Sequence, residues 1–460
     1  MLLSTPAFFV FYLLVWLLFW ALAAHRAARL ALLVLANLFF ISKFGALYLL
    51  LPVAASIDFL VGLGLGKPEA SETKRRLLIA ASLVLNVGLL AATKLIPVVT
   101  GYRYAWVLTL SLSFYCFQSL TYTIDLYRRE PEAEAEKNYP KYLAAAFFFP
   151  VMIAGPILRV HDFLKQLGRA PELTTEQAGR ALLLIGIGLV KKLLIADFLA
   201  ENLVTRVFDT PTLYSSVEVL AAVYGYALQL FFDFSGYTDI ALGVGLLLGL
   251  RLPENFLRPY LSANLGDFWR RWHMSFSFWL RDYLQEPLSM KRRRKHPLQT
   301  YTWTVIVTFL LGGLWHGIAW MFLVWGALHG VALAVVQLWK KFRGRRKATP
   351  AGTVFATLLT FHFVCFTWIF FNASSLSNAG AILGRLGSHT FTHDNLTPAI
   401  LGVLALAAAL HCLPLRLFDG SAALVSRMPF WAQGAALATL VVVIQTLAGK
   451  GSAGFIYGNF

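Results

Sequence analysis

Three stretches of this sequence, Met1–Ala24, Tyr104–Ile124 and Val354–Phe371, contain no Asp, Glu, Lys or Arg, and Phe44–Gly66 contains only Asp58. Runs of about 20 apolar residues match a hydrocarbon core roughly 30 Å thick, because a helix rises about 1.5 Å per residue. In lipid each backbone N–H and C=O needs an internal partner, which leaves helices or closed barrels. The short alternation of barrel strands is absent. The chain therefore reads as all-α, a polytopic transmembrane helical protein. Composition agrees: 58% of residues are hydrophobic and 14% charged, against about 25% charged in soluble proteins.

The formal net charge is +17. The basic residues sit mostly in short connections between apolar runs, which the positive-inside rule explains, so no nucleic-acid partner is expected. Cys116, Cys365 and Cys412 lie in apolar runs without a CxxC pair, so neither a disulfide framework nor a metal site is expected. The first run has no basic leader and no small-residue cleavage site, and it reads as a retained span. Arg26 and Arg29 follow it, which puts the N-terminus outside and the basic loops on the cytoplasmic face.

Spans are expected near Leu30–Ser42, Phe44–Gly66, Leu77–Ile96 and Tyr104–Asp125. Another runs from about Ala181 to a polar loop at Glu201–Ser216, and the next apolar run reaches Leu250. The basic runs Lys291–Lys295 and Lys340–Lys347 bracket two crossings, and two or three spans follow Val354. The total is about eleven, in one integral-membrane unit over 1–460: N-terminal spans 1–125, a core 143–339 and C-terminal spans 354–460. "FFFPVMIAGPILR", Phe147–Arg159, carries two prolines and a glycine and breaks a helix. It reads as re-entrant, with a kinked span as the alternative.

Ionisable groups at membrane depth are costly and point to function. His316 lies in "LWHG" beside Trp315 and Trp320. A buried neutral imidazole there suits a general base, and equally a hydrogen-bonded core histidine. His329 is thirteen residues on, about 220° around a straight helix, so the two share a face only if the chain turns between them; His329 reads as structural or supporting. "DFWRRWHMSFSFWLRDYL", Asp267–Leu284, packs Arg270, Arg271, Trp272 and His273 among aromatics. By composition alone it is an interfacial amphipathic helix. In "LQLFFDFSGYTDIALGVG", Leu228–Gly245, the polar residues Gln229, Asp233, Ser235, Tyr237 and Asp239 interrupt an apolar run. The two acids there call for partners such as Arg or His from another helix. The glycines at 236, 243 and 245 allow close helix approach.

These segments, in this order and spacing over about Phe147–Gly330, resemble the membrane-bound O-acyltransferase family, in particular its bacterial branch for O-acetylation of alginate and related polysaccharides and for teichoic-acid D-alanylation. The resemblance implies a bacterial inner-membrane protein, a ring of tilted helices around a thin centre, with an outer funnel and a tunnel to the cytoplasm. It also implies two signature histidines about 40 residues apart, His273 and His316, as active-site residues. Two stretches depart from the family pattern: "RDYLQEPLSMKRRRK", Arg281–Lys295, and the ending "FIYGNF", after Phe455–Tyr457.

The chemistry implied is acyl transfer, most simply of acetyl, from a cytoplasmic acyl-CoA or acyl-carrier thioester. The acceptor is an extracytoplasmic hydroxyl on an exopolysaccharide or on a periplasmic or membrane-anchored partner acyltransferase. No permanently bound cofactor is expected. His316 would act as general base and His273 would orient it, position the thioester or stabilise charge. Trp272, Trp315, His329, Gln229, Asp233, Ser235 and Tyr237 would support or line the site, with Arg270 and Arg271 attracting a phosphate-bearing donor. The competing readings are a proton-coupled transporter or flippase for an envelope glycan intermediate, and a scaffold for a glycan synthase.

Overall fold

The computed structural model describes residues 2–101, 106–290, 295–344 and 349–447, and the described residues form helices and connections without strands. Residues 291–294 of the basic cluster and the 455–457 ending lie outside them. The principal helices are α1 (Pro6–Ala21), α2 (Arg26–Ser42), α3 (Leu50–Leu65), α4 (Glu72–Thr100), α5 (Trp106–Arg128), α6 (Tyr139–Ala146), α7 (Val160–Leu167), α8 (Thr175–Leu189) and α9 (Ser216–Leu247). They continue with α10 (Met274–Trp279), α11 (Pro297–His316), α12 (Trp320–Arg343), α13 (Pro350–Asn372), α14 (Leu376–Leu386), α15 (Pro398–Cys412), α16 (Leu415–Arg427) and α17 (Phe430–Leu447).

Among the described residues five helices are long and apolar enough to cross a membrane: Leu47–Leu65, α4, α9, α12 without its last residue, and α13. The α15–α16 pair, bent by 89°, adds a sixth if taken as one span. Other apolar runs form shorter helices such as α1. α1 shows how an all-apolar helix divides its faces. Phe8, Tyr12, Val15 and Phe19 are buried at helical spacing, while Val10, Leu13, Leu14, Leu17 and Leu18 lie exposed on the lipid-compatible side. Its polar tips then cap α9: the Tyr12 hydroxyl donates to Val244 O, and the Trp16 and Trp20 indoles both donate to Leu247 O. These are C-terminal carbonyls that α9 cannot satisfy itself.

Several expectations are corrected in detail. The helical run that begins at α8 does not stop at Glu201. It continues to Asp209 through wider π-helical turns at Val190–Ala196 and Ala200–Val204, so the connection to α9 is only residues 210–215. Asp267–Leu284 is not one amphipathic helix; it is broken before His273 and resumes as α10. Residues 147–159 hold only one short 3-10 turn, the break expected from the two prolines, and are almost wholly buried.

Backbones approach closely where glycine removes the side chain. A Cβ on Gly188 of α8 would lie 2.6 Å from Gly236 O of α9. In the α11–α12 hairpin, a Cβ on Gly313 would lie 2.2 Å from Phe322 O, and one on Gly326 2.4 Å from Phe309 O. Ion pairs and polar clusters tie the remaining layers. Asp58 of α3 accepts from Ser82 and Asn86 of α4 and from Tyr115 and Ser119 of α5, all buried.

Candidate active site

His273 and His316 arrive at one place from different elements. His273 caps the start of α10 in a left-handed backbone conformation, φ 42° and ψ 54°. That region is uncommon for a residue with a Cβ, and such strain clusters at functional positions. Two backbone bonds hold the local geometry: Met274 N donates to Asn255 O, and Leu257 N to Arg271 O. His316 is the last residue of α11, and α12 begins at Trp320. The turn between the histidines of the hairpin therefore lies directly after His316.

Both imidazoles are buried, His273 at 2% and His316 at 7% exposure. Phe276 joins them, its ring centroid 5.0 Å from His273 and 6.4 Å from His316. Phe114 and Phe234 complete the wall around His273. Trp315, Trp325, Phe322 and Phe371 surround His316. The result is a buried aromatic chamber with two imidazoles, the low-dielectric setting in which proton transfer and charge stabilisation count for most.

The hydrogen bonds assign the state of His273. Its Nδ1 lies 3.1 Å from Asn255 Oδ1. The same oxygen accepts from the Ser275 backbone N–H at 3.2 Å and from Ser275 Oγ at 2.9 Å. An amide N–H donates, so Asn255 presents its oxygen here, and His273 Nδ1 must carry the proton. In a neutral ring Nε2 then holds the lone pair, and among the described residues nothing donates to it. Ser275 Oγ in turn accepts from Ile157 N, which fastens the 147–159 segment to the site.

The other candidates fall into separate roles. His329 is fully buried; it accepts from Trp269 Nε1 and its Nε2 lies 2.9 Å from Thr367 Oγ1, so both ring nitrogens are engaged. Trp325 touches the rings of both His316 and His329. Trp272 packs behind the chamber against Phe256, Phe268 and Trp368. Arg270 and Arg271 are partly exposed and both pair with Asp267.

The α9 acids find lysines, not the arginine or histidine expected. Lys192 bridges Asp197 at 2.7 Å and Asp233 at 2.6 Å, and Lys191 pairs with Asp239 at 2.6 Å. Both lysines come from the π-helical continuation of α8. Gln229, Ser235 and Tyr237 are buried in the same helix. α9 reaches His273 through Phe234.

A cavity of about 500 Å³ approaches the site, lined by Ile157, Arg159, Gln166, Arg251, Met274, Ser275 and Tyr283 among others. Its arginines are not those singled out by composition. A second cavity of about 1000 Å³ between α8, α9, α16 and α17 reaches Asn255 and Ser235 from the other side. The sequence reading passed over Asn255, Ser275, Phe276 and Lys94. Asn255 has no local signal in "LPENF". Lys94 did carry one, as a lone cation in an apolar run, but near a span end a lysine ordinarily reads as an interfacial anchor.

Comparison with known proteins follows this geometry. A probable alginate O-acetylase from Azotobacter vinelandii is 38% identical over 304 residues, 66% of this chain and 58% of that protein. A peptidoglycan O-acetyltransferase from Helicobacter pylori is 34% identical over 391 residues, 77% of this chain and 73% of that protein. A teichoic acid D-alanyltransferase from Bacillus subtilis is 34% identical over 236 residues, 49% of this chain and 59% of that protein. The chain thus spans somewhat more than half the length of the A. vinelandii relative. The family model for membrane-bound O-acyltransferases matches residues 37–377, three-quarters of the sequence and both histidines, and the chain belongs to that family.

Proposed function

We propose that this protein moves an acyl group, most simply acetyl, from a cytoplasmic thioester to a hydroxyl on an extracytoplasmic polysaccharide or on a partner protein that passes the group on. The observation that carries the reading is the shared aromatic chamber of His273 and His316, both rings against Phe276. The names of the relatives, which act on alginate, peptidoglycan and teichoic acid, support the class of acceptor.

In this mechanism the acceptor oxygen attacks the thioester carbonyl while His316 takes its proton. The C–O bond forms, the C–S bond breaks, and the departing sulfur recovers the proton from the imidazolium as a free thiol. The donor, acyl-CoA or an acyl-carrier thioester, enters through the cavity past Arg251, whose charge suits phosphate; Arg159 in the same wall pairs with Asp282. Met274 and Ser275 at its wall adjoin His273. The positive-inside rule supports a mouth that opens toward the cytoplasm.

The test uses purified protein in detergent, radiolabelled acetyl-CoA and a periplasmic extract, with wild type beside His316→Ala. Label in hydroxyl ester with wild type, lost in a variant of normal gel-filtration profile, supports the reading. Equal transfer by both removes His316 from the chemistry.

A further inference from the structure

We propose that Asn255 is the positioning residue of this site, and that by fixing His273 as an Nδ1–H imidazole it makes Nε2 the acceptor that holds an N–H of the thioester donor's arm. The inference rests on the acyl-transfer reading above and goes beyond it, because it decides among the roles open to His273.

The argument starts from the donor inventory. Asn255 is 1% exposed and His273 2%. Its oxygen is committed three times over, to His273 Nδ1, Ser275 N and Ser275 Oγ. Ser275 has no freedom to reverse this. Its backbone N–H only donates, and its hydroxyl oxygen already accepts from Ile157 N at 3.0 Å, which turns the hydroxyl proton toward Asn255. Rotating the Asn255 amide would set its NH₂ against the Ser275 N–H, leaving two donors facing each other in a buried site. The tautomer of His273 is therefore built into the backbone of residues 255 and 275.

This has a chemical consequence. A neutral His273 has no free N–H to offer a developing oxyanion, so it does not stabilise negative charge. It offers a lone pair. A polysaccharide hydroxyl has one proton, and His316 is the base that takes it. The remaining partner for the lone pair is a donor N–H on the other substrate. Thioesters of CoA and of acyl carriers share an amide N–H two carbons from sulfur, and the 500 Å³ cavity brings such an arm past Met274 and Ser275, the residues immediately after His273. The ring faces Phe114, Phe234 and Phe276, and the titratable group within electrostatic reach of it is His316, itself near Lys94.

Two measurements test this on the full-length protein. First, histidine-selective ¹⁵N labelling, with His273 assigned by its loss in His273→Ala, reads the tautomer directly. Wild type is expected to show a protonated Nδ1 and a bare Nε2, and Asn255→Ala to lose that preference; a proton on Nε2 in wild type overturns the proposal. Second, turnover is compared for two acetyl thioesters, of N-acetylcysteamine and of pentanethiol, which have the same chain length and differ by the amide. Asn255→Ala is expected to lower kcat/KM for the amide-bearing donor roughly 10- to 100-fold more than for the amide-free donor. Asn255→Asp, which keeps an oxygen acceptor for Nδ1–H, is expected to retain the preference for the amide. Equal losses on both thioesters would assign Asn255 a packing role only. If wild type transfers acetyl from no thioester, the acyl-transfer reading fails while the ¹⁵N spectrum still decides the tautomer.

Discussion

Lys94 Nζ donates a hydrogen bond to the carbonyl oxygen of His316 at 3.2 Å, so a cation from α4 closes the C-terminal end of the helix that carries the second histidine. The last carbonyls of a helix lack internal partners and hold the negative end of its dipole, which a lysine suits. The contact spans 222 residues of sequence and ties the N-terminal helices to the site.

Removing that cation should loosen His316 without emptying the chamber. Lys94→Met is expected to cost about 1.5–3 kcal/mol of stability, the range for a hydrogen bond to a charged group, and to lower kcat more than it changes donor KM. Lys94→Arg should keep most of both. A thermal melt in detergent beside steady-state kinetics separates the two effects, and unchanged values for Lys94→Met would make the contact incidental.

His273→Ala and His316→Ala should differ in kind. Loss of the proposed base is expected to reduce kcat by about 100-fold or more. Loss of the ring proposed to hold the donor arm should appear mainly as weaker donor binding. Donor titrations of both variants decide this, and a His316→Ala protein of full kcat would sink the assignment.

The cavity arginines give a contrast with the composition-based pair. Arg251→Ala is expected to raise KM for acetyl-CoA several-fold at little change in kcat, whereas Arg270→Ala and Arg271→Ala, each engaged with Asp267, should not. A KM rise confined to Arg270→Ala or Arg271→Ala would reverse this account of the donor path.

The buried ion triad should matter for folding. Lys192→Ala takes the cation from Asp197 and Asp233, each at most 6% exposed. Breaking such a pair from one side costs roughly 3–5 kcal/mol. We expect poor yield of a monodisperse protein, with recovery in the triple variant Lys192→Met, Asp197→Asn, Asp233→Asn. Normal yield of the single variant would show that the triad does not hold α8 to α9.

Much of this was readable in one dimension. Apolar runs of bilayer length required an all-helical membrane protein, because backbone groups in lipid must be paired locally. The prolines of Phe147–Arg159 required a break. A two-span hairpin between the basic runs Lys291–Lys295 and Lys340–Lys347 followed from their spacing, and the structure fixed its turn directly after His316. His273 and His316 themselves were visible once their motifs were set beside the family. What the sequence left open was pairing at a distance. Lysines rather than arginine or histidine met Asp233 and Asp239, because a register of α8 against α9 set by Gly188 and Gly236 decides which side chains face one another. Asn255 and Lys94 acquired meaning only when residues 18 and 222 positions away were brought to within about 3 Å of them. A hydrogen bond needs that distance and an angle, and tertiary packing alone supplies both.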